Sequence, residues 1–415
     1  MEKKIILVAN GPLLTKQTLK MNAYSLRSIQ FIEGLKELKP KVILLDSKKN
    51  YKNNKFPKVK GIEFYEKFSD IKNLIKKLKP SFLVSVNNYT SYLCSKIPGN
   101  FYRICDLNGT LPYELQAQCK VEKNDFRSYL INRRQKRIIK MADFITSVSL
   151  AQKYSVIGQQ SILGCSGYKN IGKNLVSVVE NAQVSKYDNY YNKKGLGLDI
   201  PEDSQKLLFL GSFNNWVDEE CLISSFALAK KKNPKLVLIL TGKKENCFGN
   251  TKYENFMKIA KNKNLLGSIF HLGFIDYLDI KSLIEFCDLG IVCDLDIYES
   301  QLGARNRINE MMKFKLPVIC TKASQISHEI QKLNPNLVAE CGNHKEIAKK
   351  VNYLLDSQNK KAIRLAIKNF NSVYLDNDSI LDPIKDFIKN PFKKEYTEIK
   401  LVRFVKNILK KKFNL

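Results

Sequence analysis

Short apolar runs alternate with stretches of helical periodicity along most of this chain. In the first half KIILVAN, KVILLDS, SFLVSVNN, YRICDLN, ADFITSVS and LVSVVEN are each apolar almost throughout. A strand with one wet face alternates apolar and polar residues, so runs apolar on both faces predict strands inside a parallel sheet. Between the first two runs, Leu26, Ile29, Ile32, Leu35 and Leu38 recur every three residues and predict a helix with one buried face. Strand and helix alternating in this way predict a doubly wound α/β domain over residues 1–182.

Residues 183–205 break the pattern. They are polar, contain two glycines and a proline, and carry no period, which predicts a domain linker. A second alternating series then runs over 206–375: strands KLLFLGS, KLVLILTG, SIFHLGF, LGIVCDL and PVICT, with helices over Asp218–Lys231, around Phe256–Lys261 and over Ile280–Phe286. HKEIAKKVNYLLDS and KKAIRLAIKNF supply further helices. Two such domains predict a cleft between facing sheets, at the carboxyl ends of the strands. Residues 376–391 are expected to form a helix returning to the first domain. Residues 392–415 form a basic tail whose Leu401, Val402, Val405, Ile408 and Leu409 would share one face if helical, suiting either an anionic membrane surface or docking on its own domain.

The 415 residues suffice for two full cores. No apolar run approaches the roughly 20 residues that span a bilayer, and no signal-peptide pattern precedes the first strand, so a cytoplasmic protein, peripheral at most to a membrane, is expected. The 10 cysteines are scattered without a C-x-x-C pair and are expected to be reduced core residues. The 3 histidines all lie in the second half, which leaves no histidine metal cluster. A net charge of +30 points to anionic partners, yet the lysines are dispersed over ordinary helix faces, so a nucleic-acid groove is disfavoured.

Candidate chemistry gathers at strand ends. In ESQLGARNRINEMMKFKLPVICT, Arg305 and Arg307 fall at the mouth of a short helix, where unpaired backbone N–H groups already disfavour a cation. Either they hold a diphosphate, with Glu310 accepting from ribose hydroxyls, or they form a structural ion network with Asp294, Asp296 and Glu299. LLFLGSFNNWVDEE presents Gly211, Asn214, Trp216 and Asp218 just past a strand. Gly211 would admit a ligand close to the backbone, Trp216 would stack on a base or pack beneath the loop, and Asp218 or Asn215 would cap the next helix. Lys243 and Lys244 follow the next strand. In the first domain, Asn10, Gly11 and Pro12 end the first strand, and Asp106 and Asn108 end another, with Glu114 nearby.

Together VANGP, DLNGTLPYE, FLGSFNNWVDEECLISSFA, LTGKKEN and the arginine segment resemble a bacterial and archaeal subgroup of the family 4 glycosyltransferases, which have the GT-B fold of two Rossmann-like domains. The resemblance runs to IKDFIKNP and leaves out only the basic tail. It implies a nucleotide-sugar donor on the second domain and a surface-glycan or lipid-linked acceptor on the first. It also implies retention of anomeric configuration and no bound metal or other cofactor. On that basis Arg305 and Arg307 would neutralise the leaving diphosphate, Glu310 would meet the ribose, and Asp106 or Glu114 would be the carboxylate facing the acceptor.

Two departures stand out. Better-known members place two acids with seven residues between them, but position 302 is leucine, which leaves open whether Glu299 fills the first acid's role. The usual basic pair after the second domain's first strand is absent, leaving Lys243 or the arginines to serve. An epimerase or phosphorylase of the same fold, a nucleic-acid binder and a non-catalytic partner of an active transferase are the competing readings.

Overall fold

The computed structural model describes residues 3–18, 21–181, 199–242, 251–356 and 378–396, with positions 359, 363 and 367. The apolar runs form two parallel sheets. The first contains β1 (Ile5–Asn10), β2 (Lys41–Leu45), β3 (Ile62–Tyr65), β4 (Phe82–Ser85), β5 (Tyr102–Leu107), β6 (Phe144–Ser147) and β7 (Val176–Val178), in the order β3-β2-β1-β4-β5-β6-β7. The second contains β8 (Gln205–Phe209), β9 (Leu236–Leu240), β10 (Ile269–His271), β11 (Leu289–Val292), β12 (Val318–Thr321) and β13 (Val338–Ala339), in the order β10-β9-β8-β11-β12-β13.

Strand order reverses at β1, between β2 and β4, and at β8, between β9 and β11. Connections leaving the carboxyl ends at such a reversal go to opposite faces of the sheet and leave a crevice. Gly11, Asn87, Gly211 and Asp294 follow the four strands concerned, so the topology itself selects these loops.

β3 and β13 were not foreseen. β3 is an edge strand whose side chains are only partly buried, and β13 has 2 residues, too few to show a period. The helix expected from Asp218 runs over Glu219–Lys232, with Asp218 as its N-cap, accepting from the Cys221 N–H at 3.0 Å.

After the second domain the chain returns to the first. The helix Asp382–Lys389 buries Ile384, Phe387 and Ile388 against the core that holds Leu7, Phe31 and Phe144. Phe387 lies nearly parallel to Phe144, 4.8 Å between centroids, and Lys3 Nζ donates to the Ile388 carbonyl at 2.7 Å. Of the expected linker only 199–205, and of the tail only 392–396, lie among the described residues. Every cysteine among them is a free thiol, and all but Cys341 are buried. No helix among them is long and apolar enough to cross a membrane.

Candidate active site

A cavity of about 230 Å³ opens between the two domains, lined by Met21 and Leu26 from the first and by Gly211, Tyr277, Arg307 and Glu310 from the second. Its floor depends on two glycines. Gly211 has φ +96°, in the left-handed region, and donates its N–H to Thr241 Oγ1 at 2.7 Å. A Cβ on Gly242, itself at φ +89°, would lie 2.6 Å from the Gly211 backbone, so only glycine lets the loops after β8 and β9 meet this closely.

The two arginines have different environments. Arg305 is the N-cap residue of the helix Asn306–Lys313, and Arg307 lies inside its first turn. Arg305 donates from Nε to Asp294 Oδ2 at 2.5 Å, and from Nη1 and Nη2 to the two Glu299 oxygens at 3.1 and 2.7 Å. Asp294, Glu299 and Arg305 are 2%, 3% and 4% exposed, which makes them a buried ion network. Burial opposes the Arg305 charge, but the two acids outweigh it and hold its pKa above the usual value. Burial likewise raises the Glu299 pKa, against the pull of Arg305. Arg305 and Glu299, expected to serve the reacting groups, are thus paired with each other, as the ion-network alternative expects, while Arg305 also lines a second, smaller pocket with Asn181 and Asn309.

Arg307 turns toward the cavity instead. Its Nη2 donates to the Ser212 carbonyl at 3.2 Å, its guanidinium lies 5.1 Å from the Phe209 ring centroid, and its Nη1 is buried with no hydrogen-bond partner among the described residues. Burial pushes its pKa below the usual guanidinium value, and Asp294 only partly offsets this. Among the described residues no side chain caps the first turn of its helix. A desolvated cation beside an uncapped helix N-terminus makes a site for a polyanion. Tyr277 and Glu310 both line the cavity, and Tyr277 donates to Glu310 Oε1 at 2.9 Å, which holds that carboxylate in place.

The remaining expectations divide. Asp106, expected to face the acceptor, is fully buried and bound by Arg27 Nε and Nη2 at 3.1 and 2.7 Å, by Thr146 Oγ1 at 2.7 Å and by the Asn87 N–H at 3.1 Å. So engaged, it exposes no surface and does not line the cavity. Glu114 lies within electrostatic reach of Glu299 and Arg305; burial, reinforced by Glu299 and opposed by Arg305, pushes its pKa up to about 7. Trp216 packs against the second domain's core with the Arg305 guanidinium 5.6 Å from its ring, Asn214 closes a turn with Val217, and Asp218 is a helix cap, so none of the three lines the cavity. Gly11 is bare because a Cβ would fall 2.1 Å from Asp46 Oδ2, a reason internal to the first domain. Lys243 and Lys244 lie outside the described residues. Among those residues no group of three or more His, Cys, Asp or Glu side chains is arranged to hold a metal ion.

Several participants left no local sign in the sequence. Thr241 and Tyr277 act on Gly211 and Glu310, residues 30 and 33 positions away. Arg27 did leave one, as a cation on a helix otherwise buried at Ile29, Phe31 and Ile32. Besides Asp106 it holds the Glu180 carbonyl at 3.1 Å and Asn181 Oδ1 at 3.2 Å. Asn181 in turn donates to Asn306 Oδ1 at 2.7 Å and accepts from Asn309 at 3.1 Å, which ties the first domain's core to the helix carrying Arg307.

Two Rossmann-like parallel-sheet domains facing across a cleft define the GT-B architecture. The family model described as "Glycosyl transferases group 1" matches residues 197–369, the stretch that carries Gly211, Arg307 and Glu310. No curated protein matches the chain in sequence. Among solved structures it is similar to sucrose-phosphate synthase from Thermosynechococcus elongatus, with TM-score 0.66 and 12% identity over 92% of this chain and 98% of that one. It is also similar to Anabaena HepE in complex with UDP-glucose, with TM-score 0.65 and 16% identity over 93% and 99%. A glycosyltransferase from Rickettsia africae gives TM-score 0.58 and 17% identity over 94% and 100%. Likeness at these identities speaks for the fold.

Proposed function

We propose that this protein is a glycosyltransferase that moves a sugar from a nucleoside-diphosphate donor, bound in the interdomain cavity, to an acceptor presented by the first domain. The observation that carries the reading is Arg307, whose buried Nη1 has no partner among the described residues and lies beside a helix N-terminus with no side-chain cap among them. As the bond between sugar and diphosphate breaks, negative charge grows on the leaving oxygen, and fixed donors in a dry site stabilise that charge more than they stabilise the bound donor. Arg307 and the first-turn N–H groups would take this role, with Glu310 accepting from the ribose. Charge neutralisation by the protein itself supports a transfer without bound metal. The family model matched by 197–369 and the UDP-glucose complex of HepE support a nucleotide-sugar donor.

Within this reading the family 4 type, retention, and an acceptor on a surface glycan or lipid carrier at the inner face of the cell membrane are further parts of the proposal. The test is to incubate the protein with UDP-, GDP-, ADP-, CDP- and dTDP-sugars and follow nucleotide release by chromatography. Slow release of one nucleoside diphosphate, abolished by Arg307→Ala, supports the transferase. Interconversion of the sugar with no release points to an epimerase and overturns it.

A further inference from the structure

Glu114 belongs to the first turn of the helix Leu111–Glu122, which meets the helix Tyr298–Leu302 of the second domain. Tyr113, one residue before it, packs against Tyr298, one residue before Glu299, with 5.4 Å between ring centroids. Beside this pair, Ser149 Oγ of the first domain donates to the Leu302 carbonyl of the second at 2.7 Å. Glu114 is therefore an acid at the boundary between the domains.

No hydrogen bond among the described residues holds its carboxyl group, and the charges that act on it, Glu299 and Arg305, both lie across that boundary. The helix Phe126–Met141, packed against its own, contributes no charge to it. Arg305 is already bound by Asp294 and Glu299, so the second domain presents one cation and two acids. Glu114 brings a third acid to a site short of positive charge. Burial first, and Glu299 second, raise its pKa to about 7, with Arg305 opposing only in part.

Other contacts across the boundary are polar. The Leu150 N–H donates to Gln325 Oε1 at 2.6 Å, Gln325 Nε2 donates to Glu180 Oε1 at 2.9 Å, and Asn181 pairs with Asn306 and Asn309. Domains joined through polar contacts of this kind move on one another.

We propose that closing the two domains onto each other takes up a proton at Glu114, so that mild acid favours the closed interdomain cavity and mild alkali opens it. When the domains part, water solvates the carboxylate and Glu299 moves away, so Glu114 returns to the ordinary carboxylate range and ionises. A carboxyl whose pKa is higher closed than open costs closure above the closed value, and that cost disappears as the pH falls through it. With about 7 closed and 4.5 open, closure is about tenfold more favourable at pH 6 than at pH 8. The coupling belongs to the domain boundary and holds whichever ligand the cavity takes.

Small-angle X-ray scattering of the full-length protein, without nucleotide and at constant ionic strength, tests this through the radius of gyration at pH 6 and pH 8. Wild type should be more compact at pH 6. Glu114→Gln keeps the length of the side chain but cannot ionise, so it should stay compact at both values. Glu114→Ala should do the same and keeps the test decisive should the glutamine variant fold poorly. A purely local role for Glu114 would alter melting temperatures and leave the wild-type radius unmoved by pH. An equal wild-type radius at the two pH values, or an expansion at pH 8 that persists in both variants, would overturn the proposal. Nucleotide binding is absent from the readout, which separates its outcome from that of the sugar-transfer reading.

Discussion

Replacing Arg305 and Arg307 one at a time by alanine should affect folding very differently, although the two lie two positions apart. Arg305 gives three hydrogen bonds to Asp294 and Glu299, all within a network at most 4% exposed. Removing it leaves two buried acids facing one another, and breaking a buried pair in this way costs about 3–5 kcal/mol. For a domain of this size that is a fall in melting temperature of about 6–20 °C. Arg307→Ala loses one bond to the Ser212 carbonyl and the contact with Phe209, but it also relieves a desolvated guanidinium with an unpaired nitrogen. These contributions of about 1 kcal/mol each oppose one another, so the shift should stay within about 4 °C. pH supplies a second handle. The Glu299 pKa is already raised in the folded protein, and losing Arg305 raises it further. A carboxyl with a higher pKa folded than unfolded costs stability above its folded pKa and regains it as the pH falls. The Arg305→Ala deficit should therefore shrink on acidification from neutrality, read by differential scanning calorimetry across the series. Equal losses for the two variants, or a deficit that grows on acidification, would refute the division of the arginines into one structural and one facing the cavity.

Three further outcomes follow from the same geometry. Arg27→Ala should destabilise the first domain by about 3–5 kcal/mol in chemical denaturation, because Asp106 stays buried without its cation. Gly211→Ala should cost about 1–2 kcal/mol, because φ +96° strains any residue with a Cβ, while the new Cβ, 3.7 Å from Arg307 Nη2, makes only ordinary contact; the melting temperature reads the loss. Glu114, with its pKa near 7 against an ordinary 4.5, should make wild type gain stability as pH falls from 8 toward 5, and Glu114→Gln should flatten that part of the melting-temperature profile.

The sheet framework was readable because parallel strands buried on both faces announce themselves as unbroken apolar runs. β3 escaped because an edge strand is only half wrapped, and β13 because two residues have no pattern. The arginine segment showed that chemistry was present but not how it is divided. Arg305 and Arg307 face opposite ways because one is the N-cap residue and the other has entered the helix, a difference that depends on which residue begins the first turn. Asp106 looked reactive at a strand end, and only the fold reveals Arg27, 79 positions away, closing over it. Glycine signals were ambiguous for the same reason: Gly211 serves the cavity, whereas Gly11 makes room for Asp46.

The central claim is that Arg307 faces a nucleoside diphosphate. Calorimetric titration of UDP, GDP, ADP, CDP and dTDP into wild type and Arg307→Ala tests it most directly. One nucleotide should bind wild type, and the variant should bind it about 10- to 150-fold more weakly, the equivalent of a charge-assisted hydrogen bond of about 1.5–3 kcal/mol. Equal affinity for the two proteins, or no binding of any of the five to wild type, would contradict the account.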